Sequence, residues 1–158
     1  MEDARQRPQT PSDSDVITDY RLPTTDSFRL PSRMRDEIIA HARREVPREC
    51  CGVISGENGN PVAVIPLTNT YAGDDFFEID AGELYRVYRD LDAVGQEIIV
   101  NYHSHPVSVA YPSVRDVAHA QWGDIVYLIC SLEHPDAPVL RAFQIIDQQV
   151  SELPLTLA

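Results

Sequence analysis

The segment EIIVNYHSHP, residues 97–106, constrains this chain more than any other stretch. Its first half is apolar throughout, as expected of a strand at the centre of a sheet with both faces covered. Its second half carries polar side chains, and residues two apart on a strand share a face. His103 and His105 therefore point to one place, and Ser104 points away from it. Pro106 has no N–H to donate and ends the strand's pairing.

The flanking sequence supplies the partners such a strand needs. FRLP, from Phe28, reads as a short strand, and Ser32 is placed to cap a helix running to about Val46. Met34, Ile38, Ala42 and Val46 recur at spacing four, which gives that helix one buried stripe, and Pro47 ends it. CGVISG and PVAVIPL are β-branched runs around ENGN, a hairpin turn signal, and DFFEID reads as a third strand. Asp80 and Glu83 match a capping box, ahead of a helix with Leu84, Val87, Leu91 and Val94 on one face and Gly95 as its stop. A short helix from Ser113 to about Gln121 precedes DIVYLICS, VLRAFQII and a last strand near Val150. Helices interleaved with adjacent and crossover strands predict an α/β fold, a mixed β-sheet flanked by helices. At 158 residues the chain has room for one such domain. Residues 1–26, rich in Pro, Ser, Thr, Asp and Arg, read as a disordered N-terminal tail, leaving 27–158 for the domain.

Charge and cysteine usage narrow the function classes. A formal charge of −12 argues against nucleic acid as a partner, since its phosphate backbone calls for a basic face. Arg33, Arg35, Arg43, Arg44 and Arg48 gather in one region and read as a solvated helix face. No apolar run is long enough to span a bilayer, and the N-terminus lacks the apolar core of a signal peptide. Cys50, Cys51 and Cys130 form no disulfide framework, which points to a reducing compartment, the cytoplasm.

Chemistry concentrates around the two histidines. Ser113 opens the helix after Pro112, and Asp116 sits in its first turn, separated from the strand end only by PVSVAYP. The aspartate can fold back toward His103 and His105. Two imidazoles and one carboxylate suit Zn²⁺, and three protein ligands leave the fourth tetrahedral position open, as in catalytic sites. His-Ser-His alone is weak, and Ser113 with Asp116 alone is a helix capping box. Glu49 changes the balance. It stands immediately before an apolar strand, where a carboxylate can serve as the general base that zinc hydrolases need.

Glu49 before a Cys-Gly strand, then HSHP, six residues, Ser113, two residues and Asp116, resembles the JAMM (MPN-plus) metallopeptidase family. The resemblance runs from about Phe28 to the C-terminus and fills all five specified polar positions. It implies a single cytidine-deaminase-like domain, with His103, His105 and Asp116 as zinc ligands and Glu49 as general base. Ser113 would help hold the oxyanion, beside its plain role as an N-cap. FFEIDAGELYRVYRDLD and NYHSHPVSVAYPSVRDVAHA look more specifically like the compact bacterial members, which act on ubiquitin-like sulfur-carrier proteins. Some of those members carry another residue at the place of Pro106. Deubiquitinating members carry insertions that grip ubiquitin, and residues 121–125 leave no room for one. The resemblance implies cleavage after the C-terminal glycine of a carrier ending in Gly-Gly, releasing cysteine or a short extension. The alternatives are a zinc isopeptidase of broader specificity and a non-catalytic module of the same fold.

The remaining candidates read as structural. Cys50 and Cys51 precede a buried strand, with no base placed for either, and belong to the core. His41, His119 and His134 are expected at the surface, Trp122 as a core anchor, and Tyr111 as a packing residue. With no insertion available, the chain is expected to lack a deep side-chain pocket.

Overall fold

The computed structural model describes residues 26–158. Except for Asp26, the predicted tail lies outside the described residues. The element order is β1 (Phe28–Leu30), α1 (Ser32–Glu45), β2 (Cys51–Glu57), β3 (Asn60–Leu67), α2 (Ala81–Asp92), β4 (Glu97–His105), α3 (Val114–His119), β5 (Val126–Ser131), β6 (Val139–Ile146), β7 (Gln149–Leu153) and β8 (Leu155–Leu157). Six strands form one sheet in the order β3-β2-β4-β5-β6-β7, and β1 pairs with β8 alone. Only the β4–β5 pair of the large sheet is parallel, and α3 lies in its crossover. This is the expected mixed sheet flanked by helices, with β4 interior to it. Among the described residues no helix is long and apolar enough to cross a membrane.

The apolar pattern explains the layers. Met34, Ile38 and Ala42 of α1 are buried against Leu30, Cys50, Ile54, Val100, Tyr102 and Leu128 on one face of the sheet. Leu91 of α2, with Leu84 and Val87 partly buried, packs on Val53 and Ile98 of the other face. A register irregularity between Ile54 and Ser55, opposite Ile99, separates these two sets along β4. It lets Ile98 and Val100 serve opposite faces, which simple alternation forbids. The β2–β3 hairpin turns through Asn58 and Gly59 at φ 52° and 77°, as ENGN predicts. Gly95 at φ 72° closes α2: its N–H donates to the Asp92 carbonyl and that of Gln96 to Leu91.

Several local expectations give way to tertiary contacts. Ser32 is the first residue of α1 rather than its cap, and Pro31 holds that position without a side-chain bond. The Ser32 N–H instead donates to the Ala158 carbonyl, extending the β1–β8 pairing. Val46 and Val94 lie past their helix ends and are exposed. Asp80 caps α2 through the Glu83 N–H, but the Glu83 carboxylate accepts from Thr68 N and Oγ1 instead of returning to Asp80. DFFEID is not a strand. It forms a single bridge, Asn69 to Ile79, because the Asn69 side chain takes the bonds a ladder would use. His41 is buried, its Nδ1 2.9 Å from the Tyr102 hydroxyl, which otherwise has no partner under α1.

Candidate metal centre and its groove

Strand alternation and one helix cap assemble the site. His103 and His105 end β4, both buried on the same face. Ser113 caps α3, with Oγ accepting from the Asp116 N–H at 3.1 Å. In return Asp116 Oδ2 accepts from the Ser113 N–H at 2.7 Å, which completes a capping box. That same Oδ2 lies 3.2 Å from each histidine Nε2, and the two Nε2 atoms lie 3.1 Å apart. The structure therefore brings His103, His105 and Asp116 into one near-equilateral triangle of ligand-type atoms. Among the described residues they are the one group of three or more His, Cys, Asp or Glu side chains gathered closely enough to hold a metal ion.

The donor set fits a tetrahedral ion. Three corners of a tetrahedron with bonds of about 2.0–2.1 Å lie about 3.3–3.4 Å apart, close to the edges of this triangle. His105 Nδ1 lies 2.7 Å from the Val109 carbonyl, which can only accept, so Nδ1 carries a proton and Nε2 is the nitrogen that would give its lone pair to an ion in place of a proton. His103 Nδ1 is buried without a partner, and the Phe77 ring stacks on the imidazole at 4.6 Å.

Electrostatics at the centre favour a negative Asp116. Burial alone would raise its carboxyl, but hydrogen bonds from His103 and His105 hold it well below the usual carboxylate range. Burial lowers the pKa of His103. Burial opposes charge on His105 too, yet the bonds to Asp116 and Val109 outweigh it and its pKa is raised.

Glu49 reaches the same place from the segment just before β2. In the antiparallel β2–β4 ladder Cys51 pairs with His103, and the Ser104 N–H donates to the Cys50 carbonyl. Continuing that register by two residues sets Glu49 across from His105, on the histidine face. Ser104, on the opposite face, accepts from the Cys50 N–H at 2.8 Å and so fastens the two strands. The Glu49 carboxyl is buried, with Oε2 unpaired. Burial pushes its pKa up to about 7, partly offset by His105 and reinforced by Asp116 and Asp75. A carboxyl poised near neutrality can both take and return a proton.

A cavity of about 520 Å³ opens beside His103 and Asp116, walled by Phe77, Ile79, Leu84 and Trp122 over Tyr127. It is half-open to solvent, a groove rather than an enclosed side-chain pocket. The loop from Asn69 to Ile79 builds one wall, and Trp122, half-buried between two apolar clusters, builds another without any insertion. Sequence reasoning missed Phe76 and Phe77, whose signal was the aromatic pair inside DFFEID. Phe76 packs on His119 at 4.9 Å, and the Arg115 guanidinium lies 4.0 Å from its ring centre. His119 and His134 are exposed as expected, and Tyr111 packs edge-on against Phe143. Cys50, Cys51 and Cys130 are buried free thiols whose pKa burial pushes up to about 12, so none is a nucleophile.

Comparison with known proteins agrees with this geometry. The family model for prokaryotic homologs of the JAB domain matches residues 31–146. The chain is 38% identical over 120 residues to the CysO-cysteine peptidase of Mycobacterium tuberculosis, covering 75% of this chain and 82% of that one. It is 34% identical over 115 residues to the desampylase of Haloferax volcanii, covering 68% and 83%. A solved structure from Desulfitobacterium hafniense superposes with a TM-score of 0.74 at 33% identity, over 82% of this chain and 92% of that one. The match over residues 31–146 takes in Glu49, both histidines and Asp116, and the chain belongs to the prokaryotic JAB-domain family of metal-dependent hydrolases.

Proposed function

We propose that this chain is a zinc-dependent hydrolase that cuts the amide bond after the C-terminal glycine of a ubiquitin-like sulfur-carrier protein, releasing cysteine or a short C-terminal extension. The observation that carries the reading is the convergence of His103, His105 and Asp116 on one point, with the buried Glu49 carboxyl near enough to feel the charges of His105 and Asp116. One of the two curated relatives is named for a CysO-cysteine substrate, which supports release of cysteine from a carrier conjugate.

His103 and His105 through Nε2, and Asp116 through Oδ2, would hold the ion. Bound Zn²⁺ supplies Lewis acidity, bringing the pKa of water toward about 7 and polarising the scissile carbonyl. Glu49 takes the proton of the attacking water and passes it to the leaving amine, a cycle suited to a carboxyl near neutrality. The Ser113 side chain keeps a hydroxyl proton while Oγ accepts from Asp116 N, and that proton is available to the oxyanion. An extended Gly-Gly tail has no side chains and can lie along the groove beside His103. Contacts with the folded carrier would align the scissile carbonyl and so raise turnover as well as affinity. The catalytic unit in this reading spans residues 27–158 and works in the cytoplasm, in keeping with three free buried cysteines.

Mass spectrometry tests the reading directly. A sulfur-carrier protein bearing C-terminal cysteine should lose that one residue on incubation with the protein, and a chelator or Glu49→Gln should block the loss. If unrelated free peptides are cut equally fast, the carrier is not the substrate and a zinc peptidase of broad specificity replaces it.

A further inference from the structure

The loop between β3 and α2 is closed at its neck by side chains. Thr70 donates to the Glu78 carbonyl through both its N–H and its Oγ1. Beside it, Asn69 is buried and uses its amide in four bonds. Its Oδ1 accepts from the N–H groups of Tyr71 at 2.9 Å and Glu78 at 3.1 Å. Its Nδ2 donates to the carbonyls of Phe76 at 3.1 Å and Glu49 at 2.9 Å. Arg48, which the sequence grouped with a solvated helix face, reinforces the same junction: its guanidinium donates to the carbonyls of Asn69 and Tyr71. The only side-chain amide at the neck thus grips the peptide of Glu49 and the peptides of the loop together. Its reach ends beside the Phe77 ring that stacks on His103.

This arrangement is more specific than loop closure. Glu49 lies two residues before β2 and beyond the last strand pair, where no ladder bond fixes its carbonyl. Its carboxyl has an unpaired oxygen, so the side chain is not anchored at its tip. Asn69 is the group that holds the Glu49 backbone, and a base must be held to well under an ångström for efficient proton transfer.

Resting on the reading of Glu49 as general base, we propose that Asn69 is a positioning residue: its amide ties the Glu49 peptide to the loop that walls the groove, so that the element meeting the substrate also sets the base. Substrate pressed against residues 76–79 then bears on Glu49 through one shared side chain. The effect belongs to turnover, because Asn69 touches neither the metal triad nor the groove's occupant.

The test is a double-mutant cycle on the zinc-loaded protein with the carrier-cysteine conjugate. Asn69→Asp retains the two accepted bonds and removes both donated ones; Asn69→Ser, run alongside, shortens the reach without adding charge. Each should lower kcat on the order of 10- to 100-fold, with KM within about threefold and one zinc per chain retained. In the Glu49→Gln background the same substitutions should cost less than about threefold, because the group they position is gone. A loss just as large in that background, an effect on KM alone, or unchanged kcat overturns the proposal. Crystal structures of both zinc-loaded variants supply a readout independent of turnover. Displacement of Glu49 with the His103–His105–Asp116 triangle unmoved supports it, and Glu49 unmoved overturns it. Should the wild-type protein leave the conjugate intact, the substrate reading fails while these structures still decide the role of Asn69.

Discussion

The two faces of β4 follow opposite rules. Toward α1, Tyr102 and Ser104 are fully buried and each polar atom is paired: the Tyr102 hydroxyl with His41 and Ser104 Oγ with the Cys50 N–H. Toward α3, Asn101 Oδ1, His103 Nδ1 and, across the ladder, Glu49 Oε2 are buried without partners. Adjacent residues of one strand thus sit in a satisfied core and in an unsatisfied site. Burying a polar atom unpaired costs on the order of 1–3 kcal/mol, which a fold tolerates where chemistry needs the group free. The difference teaches where to look along β4: its orphaned polar atoms fall on the face that carries the metal triad.

The largest effect should come from the triad on the working face. His103→Ala or Asp116→Ala should remove zinc from one ion per chain to none by elemental analysis, and with it all measurable turnover. Stoichiometric zinc in a His103→Ala/His105→Ala double variant would break the assignment. Next, Glu49→Gln should retain the ion and lose turnover by on the order of 10²- to 10⁴-fold. A fully active variant would mean another group activates the water.

Substitutions on the paired face should reverse this pattern, costing stability and sparing the metal. A Cβ added at Gly52 collides with the Tyr102 ring. Gly52→Ala should therefore destabilise by about 1–3 kcal/mol in denaturant melts while the folded protein still binds zinc. Tyr102→Phe, which leaves His41 unpaired, should cost about 1–2 kcal/mol. Loss of zinc from folded Gly52→Ala would show that the faces are not separable.

The smallest and sharpest test is the sign of pH dependence in metal-free protein. Glu49 is raised by burial from 4.5 to about 7, so its native form binds more protons than the unfolded chain. Its contribution to stability is present below pH 4.5 and lost as pH rises through about 7. His41 is lowered by burial from 6.5, so its contribution is present above pH 6.5 and lost as pH falls below it. Melting temperatures should show Glu49→Gln gaining on the wild type as pH rises from 4.5 to 7. His41→Gln should gain as pH falls below 6.5. Two trends of the same sign would remove the contrast between the faces.

Much of this is legible in the sequence alone. The apolar run of EIIV marked a central strand, HSH placed both imidazoles on one side, and Ser113 with Asp116 marked a helix start beside them. Less legible was anything that depended on competition between partners. DFFEID has the composition of a strand, yet Asn69 satisfies its backbone and leaves its aromatic rings free to build a groove wall. Ser32 has a capping side chain, but its N–H is claimed by Ala158 from the far end of the chain. His41 belongs to a residue type common at surfaces, and only the Tyr102 hydroxyl beneath α1 accounts for its burial.

The sequence by itself determined the chemistry and its local presentation. Alternation along β4 and the capping geometry of α3 follow from covalent structure over a few residues, so the triad's members and their aim could be read in order. Only the tertiary structure decided what meets them. The β2–β4 pairing brings the segment of Glu49 alongside the histidines, the irregularity at Ile99 chooses which face each apolar side chain serves, and one asparagine stitches the groove wall to the Glu49 peptide. Register and side-chain pairing across distant segments depend on which of many possible long-range partners wins. That competition is settled by packing of the whole domain, and no local pattern records it.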